Sequence, residues 1–171
     1  PEVESEDLAG GTVGYVKLSG FSDHAAEDFD RAIAEDVKAG RKKLIVDLRG
    51  NPGGFVTAAR DIASQFLADG TIFWQEDADG SLVETLAKPG GSAVDADIEL
   101  VLLVDGGSAS ASEIVAGALQ DRERATLVGT RTFGKGTVQQ WTQLEGDSGG
   151  FRLTIAKWLT PDKTWIHGTG I

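Results

Sequence analysis

Residues 99–139 read ELVLLVDGGSASASEIVAGALQDRERATLVGTRTFGKGTVQ. Leu100 to Val104 is a short apolar run, bounded sharply enough to be a buried strand. Asp105, Gly106 and Gly107 break it, and Ser108, Ser110 and Ser112 follow, separated by alanines. Ile114, Val115, Ala118 and Leu119 then recur at helical spacing, so a helix begins inside the serine cluster. A second strand, Ala125 to Val128, leads into a lysine flanked by glycines, Gly134-Lys135-Gly136. A strand-to-helix turn aims backbone N–H groups at whatever approaches the helix start. A serine there is placed to attack a carbonyl while a neighbouring N–H holds the oxyanion. The residues also admit a plain reading, in which the serines are helix caps and turn residues and the lysine is solvated.

The same arrangement occurs earlier. Lys43 to Leu48 is a strand whose β-branched content predicts burial on both faces and a parallel neighbour. It ends in Arg49-Gly50-Asn51-Pro52-Gly53-Gly54, and a helix is predicted from Val56 to Leu67. The two turns are expected side by side at the C-terminal edge of one sheet, where α/β proteins build their sites. Gly53-Gly54 after Pro52 also suits a type II turn, and it lacks the GK[ST] ending of a phosphate loop.

Around this centre lie a strand from Thr12 to Leu18 and a helix from Asp23 to Ala39, capped by Ser22 and stopped by Gly40. A hairpin is expected from Thr71–Glu76 and Leu82–Ala87, and a second from Thr137–Leu144 and Phe151–Leu159, with a last short strand at Thr164–Ile166. The opening PEVESEDLAGG reads as a polar lead-in between domains, and the 171 residues as one domain with a substantial core. A net charge of −11 argues against nucleic acid and anionic membrane surfaces. The longest apolar runs fall well short of the ~18 residues that a spanning helix needs. With no cysteine and only His24 and His167, neither disulfides nor a histidine-rich metal site is predicted.

GSASASEI, TFGKGTVQ and the earlier DLRGNPGG together resemble the carboxyl-terminal processing (tail-specific) serine proteases, in that family's order, and the likeness runs from about Thr12 to the C-terminus. The resemblance implies a Ser–Lys pair 25 residues apart, which selects Ser110 and Lys135, and a glutamine four residues past the lysine, Gln139. It implies an oxyanion hole from the N–H of Ala111 and that of Gly53 or Gly54. Glu113 and Asp121 match acidic positions of the family and are read as structural, Glu113 complementing the helix N-terminus. The implied fold is α/β, a crotonase-like core of strand–strand–helix units with a mixed sheet and outer β-hairpins. The implied activity is a serine endopeptidase, without metal or cofactor, acting on protein or peptide substrates with flexible C-termini. A PDZ domain of the same full-length chain, absent from residues 1–171, is its expected partner, and its expected location is outside the cytoplasm.

A Ser–Lys dyad works with a neutral lysine; free lysine titrates near 10.4, and burial lowers that. A Ser–His–Asp triad is the rival mechanism, but His24 lies in a helix start and His167 in a polar tail. Two other functions stay open: a catalytically silent module binding peptides or apolar ligands, and a crotonase-type acyl-CoA enzyme, for which no nucleotide site is visible.

Overall fold

A computed structural model of the chain describes residues 1–144, 146 and 149–171. A five-stranded sheet runs in the order β1-β2-β3-β6-β7. Its strands are β1 (Val3–Leu8), β2 (Val13–Leu18), β3 (Lys43–Asp47), β6 (Glu99–Val104) and β7 (Thr126–Gly129). β1 is antiparallel to β2, and all later pairs are parallel. The sheet is therefore mixed, as expected, and β3 sits between two parallel neighbours. Residues 3–8, expected as lead-in, pair with β2 along their whole length and belong to the sheet.

The parallel strands are added in one direction, so right-handed crossovers put α1 (Asp23–Lys38), α2 (Val56–Ser64) and α3 (Ala111–Asp121) on one face. α2 packs between α1 and α3. Ser22 caps α1 by accepting from the Ala25 amide at 3.2 Å. Phe29 and Ile33, one turn apart, are fully buried, and each such side chain contributes about 2–3 kcal/mol of transfer free energy. α2 ends at Ser64 rather than Leu67. Phe66 and Leu67 still point into the core, carried by a tighter turn in which Phe66 N–H donates to Ala63 O at 3.1 Å.

The second sheet has the order β5-β4-β9-β8 and consists of the two expected hairpins, β4 (Thr71–Asp77) with β5 (Leu82–Leu86) and β8 (Thr137–Gln143) with β9 (Gly150–Leu159). The expected loop of the second hairpin includes residues 145, 147 and 148, which lie outside the described residues. β5 and β8 are the two outer strands of this sheet. No strand forms at Thr164–Ile166. Thr160–Thr164 closes as a turn with Lys163 at φ 62°, and Gly168 and Gly170 also take positive φ, so the segment curls instead of extending. Among the described residues, no helix is long and apolar enough to cross a membrane.

Candidate active site

β3 and β6 are adjacent, so the turns that follow them meet. Side chains stitch the two together. Ser108 Oγ donates to Leu48 O at 2.8 Å, and Ser112 Oγ donates to Asn51 O at 2.9 Å. Asp105 Oδ1 accepts from Gly50 N–H at 2.9 Å in the first turn and from Gly107 N–H at 2.8 Å in the second. These amide donors hold the Asp105 carboxyl below the usual carboxylate range. Ser108 and Ser112 are fully buried, and their hydroxyls are committed to structure. Ser110, between them, is half-buried and opens on a cleft.

Ser110 is the N-cap of α3 and stands at φ 57°, ψ −113°, a conformation that costs a non-glycine residue about 1–3 kcal/mol. The surroundings hold it there. Ala109 N–H donates to Asn51 O at 3.0 Å, and Ser110 N–H donates to Glu113 Oε2 at 2.8 Å. Ser-x-x-Glu is a capping-box pattern, so this part of the Glu113 role was legible in the sequence.

The rest of that role was not. Glu113 is fully buried, and it reaches across to the lysine loop. Its Oε1 accepts from Thr132 Oγ1 and from Gly134 N–H, each at 2.6 Å, and its Oε2 accepts from Lys135 N–H at 2.8 Å. One carboxylate thus fixes the backbone of both residues of the expected dyad. Four donors satisfy it without a cation, the condition under which a buried acid is tolerated.

The loop is braced from the other side too. Trp158 Nε1 donates to Lys135 O and Trp165 Nε1 to Gly136 O, both at 2.9 Å. The C-terminal segment crosses it, with Gly168 N–H donating to Gly134 O at 2.9 Å. His167, expected as a solvated tail residue, is exposed but bonded: Gly136 N–H donates to its Nδ1 at 3.3 Å, and its ring stacks on Trp165. It meets the lysine loop rather than the Ser110 turn. His24 is exposed in the first turn of α1. Asp121 anchors the end of α3 by accepting from Asp162 N–H at 2.9 Å.

Ser110, Lys135, Gln139 and Gly54 line one open cleft of about 420 Å³, walled by Phe55 and Trp141. Lys135 is half-buried and Gln139 exposed on β8. No hydrogen bond joins Ser110 Oγ to Lys135 Nζ among the described residues, although both side chains line the cleft. The two glycines differ. Gly53 N–H donates to Asn51 Oδ1 at 2.9 Å, and Asn51 is itself fixed by donating from Nδ2 to Leu18 O at 2.8 Å. Gly54 N–H has no acceptor among the described residues, and neither has Ala111 N–H at the start of α3. Two unpaired amides therefore flank Ser110. Gly53, at φ 99°, supports the turn from beneath: a Cβ there would lie 2.6 Å from Ala109 O.

Below the first turn, Asp47 accepts from Tyr15 OH at 2.7 Å and from Arg49 Nη2 at 2.6 Å. Burial pushes its carboxyl up, and the bonds from Arg49 and Tyr15 outweigh that, leaving it below the usual range. Among the described residues, no group of three or more His, Cys, Asp or Glu side chains is arranged to hold a metal.

The sequence profile of peptidase family S41 matches residues 12–171. A carboxyl-terminal-processing protease of Synechocystis sp. is 44% identical over 162 residues, which are 95% of this chain and 37% of the relative. The carboxy-terminal processing protease CtpB of Bacillus subtilis is 40% identical over 168 residues, covering 96% of this chain and 34% of the relative. The solved structure of a photosystem II D1 C-terminal processing protease superposes on all of this chain and on 47% of its own, with a TM-score of 0.87 at 32% identity. The chain thus spans about a third of the length of the curated relatives it matches.

Proposed function

The chain belongs to peptidase family S41, and from that premise we propose that it is the catalytic core of a serine endopeptidase that cleaves flexible C-terminal regions of proteins. The observation that carries the proposal is the Glu113 carboxylate, which binds the amides of Ser110 and Lys135 with one oxygen and so turns both residues onto one cleft.

In the proposed reaction Ser110 Oγ attacks the scissile carbonyl and Lys135 Nζ takes its proton. The Gln139 side-chain oxygen accepts from the lysine amine and directs it. The N–H groups of Ala111 and Gly54 receive the developing oxyanion, and Gly54 is preferred to Gly53 because its amide is unspent. A preorganised donor of this kind contributes about 3–4 kcal/mol to the transition state. Collapse of the tetrahedral species breaks the C–N bond, and Lys135 passes the proton to the leaving amine. Water activated by Lys135 then hydrolyses the Ser110 ester. The missing Ser110–Lys135 hydrogen bond fits a free enzyme whose catalytic contacts tighten around substrate. Carried over from the family resemblance are a PDZ domain in the full-length protein, which presents the substrate's C-terminus by strand addition, and a location outside the cytoplasm.

The open dyad is also what favours a second reading, a catalytically silent module that binds peptides or apolar ligands in the same cleft. Hydrolysis of an unstructured, C-terminally tailed substrate by the full-length protein separates the two. The endopeptidase reading requires cleavage that Ser110→Ala abolishes; binding without cleavage supports the silent module.

A further inference from the structure

Among the described residues, the charged side chains that line the cleft at Ser110 are Lys135 and Arg152, with no aspartate or glutamate, in a chain whose net charge is −11. Lys135 is occupied by the proposed chemistry, and Arg152 has no part in it. Arg152 lies on β9 directly opposite Trp141 on β8. Opposed residues of an antiparallel pair project from the same face, so guanidinium and indole stand together. Both are exposed, and Trp141 leaves 60% of its surface uncovered. Gln139 precedes Trp141 by two residues past the register shift, hence on the same face and about 7 Å away at the rise of a strand.

We propose that Arg152 is a specificity-determining residue that receives a substrate carboxylate in this cleft, with Trp141 packing beside the same substrate segment. The inference rests on the endopeptidase reading. An extended substrate advances at the same rise as β8, so the carboxylate falls about two to four residues from the scissile bond. A planar guanidinium matches a carboxylate with two parallel hydrogen bonds, and the adjacent indole shields the pair from water on one side. The carboxylate comes either from an aspartate or glutamate side chain or from the substrate's own C-terminus.

The test is a set of quenched-fluorescence peptides cut by the full-length protein. One glutamate is moved through the positions flanking the cut, and each peptide is matched by its glutamine counterpart. A further pair, with free or amidated C-terminus at the same distance, separates the two sources. The expected result is a three- to tenfold higher kcat/KM for glutamate at one position, or for the free terminus, about the range for a partly solvated ion pair. Arg152→Ala should bring that ratio to about one, Arg152→Lys should retain part of it, and Arg152→Glu should reverse it in favour of a lysine-containing peptide. The wild-type ratio should also fall as salt rises from about 0.05 to 0.5 M, a readout that needs no variant. Cleavage with no carboxylate preference at any position, or a preference that survives in Arg152→Ala, overturns this inference alone. Failure to cleave any peptide overturns the endopeptidase reading and the inference with it.

Discussion

Glu113 Oε2 accepts the backbone N–H of Lys135 at 2.8 Å, and the same oxygen accepts that of Ser110 at 2.8 Å. The distance between the nucleophile turn and the lysine loop is therefore set by one buried atom. Glu113→Gln presents an amide nitrogen to donors on one side of the group and leaves at least one buried N–H unpaired, at about 1–3 kcal/mol each. The expected outcome is a folded protein whose kcat falls about 10- to 100-fold with a much smaller change in KM, because the reacting groups are misplaced rather than removed. Steady-state kinetics and circular dichroism on the same preparation check it.

The three serines should separate cleanly. Ser110→Ala should abolish hydrolysis while costing no more than the capping contribution of its hydroxyl to α3, about 1 kcal/mol or less. Ser108→Ala removes the hydroxyl bond to Leu48 O together with the acceptor of Asp105 N–H, and Ser112→Ala removes one of the two donors to Asn51 O, so each should cost about 1 kcal/mol while leaving measurable activity. Urea denaturation paired with activity assays distinguishes the two patterns.

Gly53 should tolerate no side chain. A Cβ would meet Ala109 O at 2.6 Å and Ala111 N at 2.9 Å, both backbone atoms, at a φ of 99°. Gly53→Ala should displace the Ser110 turn, lowering activity at least tenfold and stability by about 2 kcal/mol or more. A wild-type melting temperature and turnover in this variant would mean that the two turns do not bear on each other as described.

Asp47 gives a pH-dependent test. Its folded-state pKa is lowered, so its contribution to stability is complete above the unfolded carboxylate value, near 4, and is lost as the pH falls through the folded value. Asp47→Asn should destabilise by about 1–2 kcal/mol at pH 7, a modest figure because Arg49 is partly solvated, and by progressively less below pH 4. Unfolding curves at pH 7 and pH 3 measure the difference. An equal penalty at both would assign the cost to lost packing instead of charge.

Much of this architecture was open to reading from the chain because its local signals agree with its packing. The apolar runs at Leu44–Val46 and Leu100–Val104 are both strands, the Ser22 cap starts α1, and the turns after β3 and β6 meet where topology puts them. The failures share a cause. Residues 3–8 look polar because an outer strand buries little, so their partner β2 decides their structure. Thr164–Ile166 has strand composition, but the bonds of Trp165 and the neighbouring His167 to Gly136 turn it into a brace. The second half of the Glu113 role depends on which distant amide meets which oxygen, and a sequence separation of about 20 residues hides such pairs. The distinction between Gly53 and Gly54 is local, since the Asn51 side chain accepts from the amide two residues on, but a side-chain direction is not written in the residue types. Arg152 meets Trp141 through the register of a hairpin, which the strand pattern alone does not fix.

We propose that Ser110 is a nucleophile activated by Lys135. The most direct measurement is the site and rate of covalent labelling of the full-length protein by a fluorophosphonate, read by mass spectrometry. A single adduct on Ser110 is expected in the wild type. Labelling should slow at least a hundredfold in Lys135→Arg, whose guanidinium keeps the positive charge but cannot accept the serine proton. An adduct on Ser108 or Ser112, or Lys135→Arg labelled as fast as the wild type, would contradict it.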